Sequence, residues 1–295
     1  MNRRSFRFSL VIAVIALAIA AVAAVLLGLG PPEAEQREGT FSGFCEASSI
    51  LSWQGGYLVG DNETEDRLFV FTADLAPRAP RKLSSEVEDI EALAATPEGV
   101  LVVGSQGANK RGERRSRRER VLLDGHSAIT PDLSGCPPCV AVRSRPPKRG
   151  GLSVEGAAHW NGSIWLGLRS PLVDGQAIVL RMDGDPRVAL GVAEMTMLDL
   201  GGFGVRELTP WRDGLLVLAG PADDAGSRHR VYFLPSPGSA PERLPVELPN
   251  GTEGLAPAPD GRFVTVRDGD GRPGRACRAP ATWTHVVLPV PHVVP

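Results

Sequence analysis

Five times in this chain a glutamate is followed, seven to ten residues on, by a glycine and then by an apolar run. The glutamates are Glu46, Glu91, Glu155, Glu207 and Glu253, spaced 45, 64, 52 and 46 residues apart. The apolar runs are Tyr57-Leu58-Val59, Val100-Leu101-Val102-Val103, Ile164-Trp165-Leu166, Leu215-Leu216-Val217-Leu218 and Phe263-Val264-Thr265-Val266. The unit is clearest from Leu152 to Asp183, where one short run turns at Asn161-Gly162 into a second (Ser163 to Leu168). A polar loop then leads to a third run (Ala177 to Arg181). Short apolar runs joined by Asn-Gly and Gly-containing turns read as a β-meander. One meander cannot bury both of its faces, and a period of about 40–50 residues with several strands per unit is that of a propeller blade. The fold class expected is therefore all-β, a propeller of five blades behind an N-terminal transmembrane helix or signal. The alternative is six blades, the extra one assembled from the insertion after Leu133.

Composition agrees with one large β domain and a leader. The chain has 295 residues, 42% of them hydrophobic, with 34 glycines and 26 prolines to supply turns. A net charge of -2 offers no platform for a polyanion, so no nucleic-acid partner is expected. The four cysteines, Cys45, Cys136, Cys139 and Cys277, are an even set, as in exported chains that form disulfides. Cys45 lies in the first repeat and Cys277 in the last, so closing the ring brings them together. Cys136-Pro-Pro-Cys139 reads as a local disulfide or two inert thiols, with a redox pair as the sharper alternative.

Residues 1–30 start with Arg3, Arg4 and Arg7 and run apolar from Leu10 to Leu29, long enough to cross a bilayer of ~30 Å. Three arginines before the run and Glu33, Glu35 and Glu38 after it keep the amino end in the cytoplasm. An uncleaved membrane anchor with an extracytoplasmic domain is expected, and a cleaved signal releasing a secreted or periplasmic protein is the alternative. Residues 31–43 read as a linker, 44–288 as the propeller and 289–295 as a tail. Two loops stand out. Asp61-Asn62-Glu63-Thr64-Glu65-Asp66 is either a solvated hairpin tip or a calcium loop. The run 109–120, with seven basic residues, is either a solvated hairpin loop or an anion site.

In a propeller the first strand of each blade lines the axis. The five glutamates are thus expected at one level around it, with Asp89 sharing the face of Glu91 by strand alternation. Converging carboxylates repel unless something positive stands among them. A Ca²⁺ or Mg²⁺ ion on Glu46, Glu91, Glu155, Glu207 and Glu253 is one solution. Arg169 and Arg206 are the other. Beyond this ring, no catalytic residues can be assigned. The five histidines have no zinc spacing, and neither a G-x-S-x-G elbow nor a phosphate loop occurs.

Several segments resemble the bacterial family known as domain of unknown function 3616. They include Cys45-Glu46-Ala47-Ser48, Glu88-Asp89-Ile90-Glu91-Ala92-Leu93, Gly104-Ser105-Gln106-Gly107 and Gly150-Gly151-Leu152-Ser153-Val154-Glu155-Gly156. Gly167-Leu168-Arg169-Ser170-Pro171-Leu172, Leu198 to Glu207 and Thr252-Glu253-Gly254-Leu255 continue it, from about Phe44 to Arg275. The resemblance implies the propeller fold and no established activity. Glu-Gly-Leu is also similar to the propeller family called esterase-like activity of phytase, and more distantly to calcium-dependent lactonase propellers. Ala92 and Ala157 depart from that form, and Gln106 stands where a histidine is expected. Two functions follow as expectations. One is a propeller that binds a ligand, cation or protein partner at a glutamate-lined channel mouth. The other is a metal-dependent esterase, lactonase or phosphoesterase.

Overall fold

The computed structural model describes residues 37–223, 226, 228–269 and 277–289. The residues from Glu38 onward form one unit of five sheets. A short strand, β1 (Glu38–Thr40), comes first. The first blade is β2 (Ala47–Trp53), β3 (Gly56–Asp61), β4 (Arg67–Thr72) and β5 (Arg81–Lys82). The second has three strands, β6 (Ile90–Thr96), β7 (Gly99–Gly104) and β8 (Val121–Leu123). A helix, α1 (Pro137–Val142), and a 3₁₀ turn (Pro147–Arg149) follow it. Blade three is β9 (Ser153–Trp160), β10 (Ser163–Ser170), β11 (Ala177–Asp185) and β12 (Ala189–Leu198). Blade four is β13 (Gly204–Trp211), β14 (Gly214–Gly220), β15 (His229–Leu234) and β16 (Glu242–Leu248). Blade five is β17 (Thr252–Pro257), β18 (Phe263–Arg267) and β19 (Thr282–Val286), and β1 completes it on the outside. Five sheets settle the choice against six: the insertion after Leu133 forms α1 and a turn.

The apolar runs are continuous, not alternating, because each middle strand is covered on both faces. In β14, Leu215, Val217 and Ala219 pack toward blade three, while Leu216 and Leu218 pack toward blade five. The same split occurs in β7, where Leu101 and Val103 face blade three and Val100 and Val102 face blade one. Side chains alternate across a strand, so a blade caught between two neighbours must be apolar at every position. Five apolar clusters result, one for each junction between successive blades. Leu166 and Leu218 are fully buried in this system, and truncating either to Ala would cost about 2–5 kcal/mol.

Closure corrects the boundary expected at residue 43. Glu38, Gly39 and Thr40 lie within the stretch read as linker, yet they pair antiparallel with Thr284, Trp283 and Thr282. Phe41 and Phe44 are buried against Phe71 and Phe69 in the junction of blades five and one. The polar character of 31–43 hid a three-residue edge strand, because an outermost strand needs no apolar face of its own. The Cys45–Cys277 disulfide ties the same two blades across 232 residues, and Cys136–Cys139 closes locally at the start of α1. Cys136 and Cys139 are both fully buried, which suits an inert staple and leaves no exposed thiol chemistry at this pair. Among the described residues no helix is long and apolar enough to cross a membrane. The apolar run Leu10 to Leu29 and the tail from 290 lie outside them.

Candidate functional site

Every first strand carries a β-bulge at the same level. The pairing register slips between Ala47 and Ser49, Ile90 and Ala92, Val154 and Gly156, Val205 and Glu207, and Thr252 and Gly254. The residue left unpaired is Ser48, Glu91, Glu155, Arg206 or Glu253, and all five line one cavity of about 1130 Å³ on the propeller axis. A bulge re-aims the extra side chain and bends the strand, which here turns each inner strand toward the axis.

This register revises the ring of five glutamates. Glu91, Glu155 and Glu253 stand where the repeat put them, and Glu46 lines the same cavity from just ahead of β2. Glu207 is out of phase by one residue, so Arg206 takes the axial place instead. In the other blades the position of Glu207 is filled by Ser49, Ala92, Gly156 and Gly254. Glu207 is buried, accepts from the Leu208 backbone N–H at 3.0 Å, and is also held by the backbone of Ile50 in blade one. Gly254 in the intervening blade makes room for this reach, since a Cβ there would lie 2.9 Å from the Ile50 nitrogen. Burial pushes the Glu207 carboxyl well above the usual range, against the pull of those two amides.

Arginine supplies the positive charge between the carboxylates. Arg206 pairs with Glu155 at 3.0 Å and with Glu253, so one guanidinium spans blades three and five. Arg169 reaches Glu155 at 3.2 Å and donates to the carbonyls of Pro221 and Asp223, each at 3.2 Å. Ser153 Oγ adds a third donor to Glu155 at 3.0 Å. Among the described residues no three His, Cys, Asp or Glu side chains are grouped to hold a metal ion.

Glu91 differs from its neighbours. Its side chain makes no hydrogen bond or ion pair among the described residues. Burial raises its pKa well above the ordinary value, the nearby charges of Asp89 and Glu155 raise it further, and Arg206 and Arg169 only partly offset them. Asp89 does share the cavity with Glu91, though not through strand alternation. It precedes β6 with φ at 59° and pairs with Arg118. His229 completes one wall. It is buried against Gly220, and desolvation with the nearby Arg206 charge lowers it to about 4.

Asp268 is a site residue that the repeat did not reveal. It lies one position past the β18 residue paired with Thr252, the place Arg169 holds in blade three. Desolvation and the Glu46 charge push it up to about 7. Counting from the bulge would have found it; counting from glutamates could not.

Both loops flagged in the sequence are largely self-neutralised. Arg114, Arg115, Arg117 and Arg118 pair with Glu119, Glu88, Glu65 and Glu86, and Asp89. In the acidic loop, Asp61 is buried and accepts from the backbones of Glu46 and Glu63, at 3.1 and 3.0 Å, while Asp66 pairs with Arg67.

Residues 138–246 match the family model described as protein of unknown function, DUF3616. Over that stretch the chain is similar to the DUF3616 family. The match spans blades three and four and so contains Glu155, Arg169 and Arg206. No curated protein matches the chain. Among solved structures, it is similar to Bacteroides ovatus xyloglucan PUL GH43B, at 12% identity and a TM-score of 0.50. That likeness covers 78% of this chain and 50% of the other, so the chain spans about half the length of that protein. A thermostable family-43 glycoside hydrolase (11% identity, TM-score 0.47) is matched over 87% of this chain and 97% of its own. A putative oxidoreductase (glucose dehydrogenase) from Thermus thermophilus (15%, 0.44) is matched over 85% and 100%. At 12% identity the likeness to the Bacteroides ovatus protein shows the fold alone.

Proposed function

We propose that this chain is an extracytoplasmic propeller, tethered to the cytoplasmic membrane by residues 1–30, that binds a small polar ligand in its axial cavity. The observation that carries this reading is the Arg206 bridge between Glu155 and Glu253 at the cavity wall. A guanidinium there neutralises the converging carboxylates, so they need no bound cation to coexist. What remains is a preformed concave site lined by hydrogen-bonding groups, with no Phe, Tyr or Trp among its described lining residues. Two disulfides support an oxidising compartment, and the apolar run after Arg3, Arg4 and Arg7 supports the tether.

The test is a thermal-shift screen of polar metabolites (sugars, amino acids, phosphate esters) against the purified propeller. A shift in the wild type that disappears in Glu155→Gln and in Glu253→Gln is expected. A screen with no shift, or shifts that both variants retain, would overturn the reading. Ester or phosphate hydrolysis that a chelator abolishes would point instead to a metal-dependent hydrolase.

A further inference from the structure

The cavity is electrically lopsided, and blade two contributes leftover charge of both signs. Glu91 at its inner end has no cation of its own, although Glu155, Glu253 and Asp89 all do. At the same end of that blade, where Ile90 pairs with Gly104, the loop after β7 and the 3₁₀ turn bring Lys110, Arg111 and Arg149 into the same cavity. All three are exposed, and none makes an ion pair among the described residues. Arg114, Arg115, Arg117 and Arg118 of that loop are taken by Glu65, Glu86, Glu88, Asp89 and Glu119, and Arg120 donates to the Glu86 carbonyl at 2.6 Å. On this blade the leftover charges are therefore a recessed carboxyl and a set of exposed cations, all lining one cavity.

Resting on the ligand-binding reading, we infer that the ligand is a small zwitterion: a primary ammonium seated at Glu91 and a phosphate or carboxylate held by Lys110, Arg111 and Arg149. The ammonium carries three donors, which suits a recessed carboxyl facing the further oxygens of Asp89 and Glu155. Lys110, Arg111 and Arg149 suit the anionic end, since guanidinium and ammonium groups are the usual partners of phosphate and carboxylate. An ammonium beside Glu91 also lowers that group's raised pKa, so binding ejects a proton. Affinity for the zwitterion should accordingly rise with pH.

The experiment is isothermal titration calorimetry with O-phosphoethanolamine, 4-aminobutyrate and glucosamine 6-phosphate, which differ in the separation of their two charges. Ethanolamine, glucosamine and glucose 6-phosphate serve as single-charge controls. The expected result is that at least one zwitterion binds at least tenfold tighter than its controls, with proton release on repeating the titration in buffers of different ionisation enthalpy. Glu91→Gln should weaken that zwitterion about tenfold and leave glucose 6-phosphate unchanged. Lys110→Ala with Arg111→Ala should weaken the zwitterion and leave the free amine unchanged. Equal binding of zwitterion and controls, or indifference to both sets of variants, overturns the inference. If no zwitterion binds but other metabolites shift the melt through Glu155 and Glu253, the inference fails and the ligand site stands. If nothing binds, both fail.

Discussion

Arg206 in blade four stands 3.0 Å from Glu155 in blade three and, on its other side, pairs with Glu253 in blade five. Its side chain is only 8% exposed and that of Glu155 only 4%. Removing one partner of such a pair leaves a buried charge without compensation, at a cost of about 3–5 kcal/mol. Arg206→Met should therefore lower stability by that amount in urea denaturation. Arg206→Met combined with Glu155→Gln and Glu253→Gln should recover a large part of the loss, because the uncompensated charges are gone. A triple variant no more stable than the single one would mean the bridge is incidental.

His229 gives the fold a sensitivity to acid. Its folded-state pKa is lowered to about 4 from an ordinary 6.5. Between those values the unfolded chain takes up a proton that the folded chain refuses, so this residue's contribution to stability is lost as pH falls from 6.5 to 4. One proton corresponds to a slope of roughly 1.4 kcal/mol per pH unit at most. His229→Gln should flatten the stability profile over that window relative to the wild type. Urea midpoints measured at half-unit steps would show the same slope in both proteins if the histidine were not buried and neutral.

Glu207 acts in the opposite sense. Its carboxyl is raised well above its ordinary pKa by burial, and one oxygen, Oε2, has no hydrogen-bond partner. The folded state keeps a proton that the unfolded state gives up once pH exceeds about 4.3. The stability this provides is lost as pH rises toward the folded pKa. Glu207→Gln keeps the acceptor for Leu208 and Ile50 and needs no proton, so it should be more stable than the wild type at about pH 8 and close to it at about pH 4. Denaturation at those two pH values decides it; a variant that is weaker at both would contradict the placement.

Much of the fold was legible because the middle strands are buried on both faces. Leu215-Leu216-Val217-Leu218 cannot be an exposed strand, and the hairpin glycines before such runs set the period. Glu91, Glu155 and Glu253 were found at the cavity for the same reason: the bulge repeats with the strands. Glu207 misled because glutamate occurs one residue past the bulge in blade four, and a spacing of seven to ten residues tolerates that slip. A one-residue shift sends a strand side chain to the other face. Arg206 was noticed as a neighbour of the ring, when it is a member of it. Glu38–Thr40 was missed because its partner, Thr282–Val286, lies at the far end of the chain, and no local pattern marks a strand that only closes a ring.

The Cys45–Cys277 disulfide and the β1 strand close the ring independently. A crosslink spanning 232 residues restricts the unfolded chain strongly, with a stabilisation of about 5 kcal/mol on chain-entropy grounds. Cys45→Ser with Cys277→Ser should lower the melting temperature by roughly 10 °C or more while leaving a folded protein, since β1 still pairs with Thr282, Trp283 and Thr284. Deleting residues 38–40 in that background should unfold it. Circular dichroism melts distinguish the cases, and a double-cysteine variant that melts like the wild type would assign closure to the strand alone.

The most direct test of the central claim, that a guanidinium takes the place of a cation among the axial carboxylates, is the melting temperature in EDTA against millimolar calcium or magnesium. The predicted result is the same midpoint in all three solutions, with Arg206→Met alone becoming sensitive to the added ion. A wild-type midpoint that falls by several degrees in chelator and returns with calcium would contradict it.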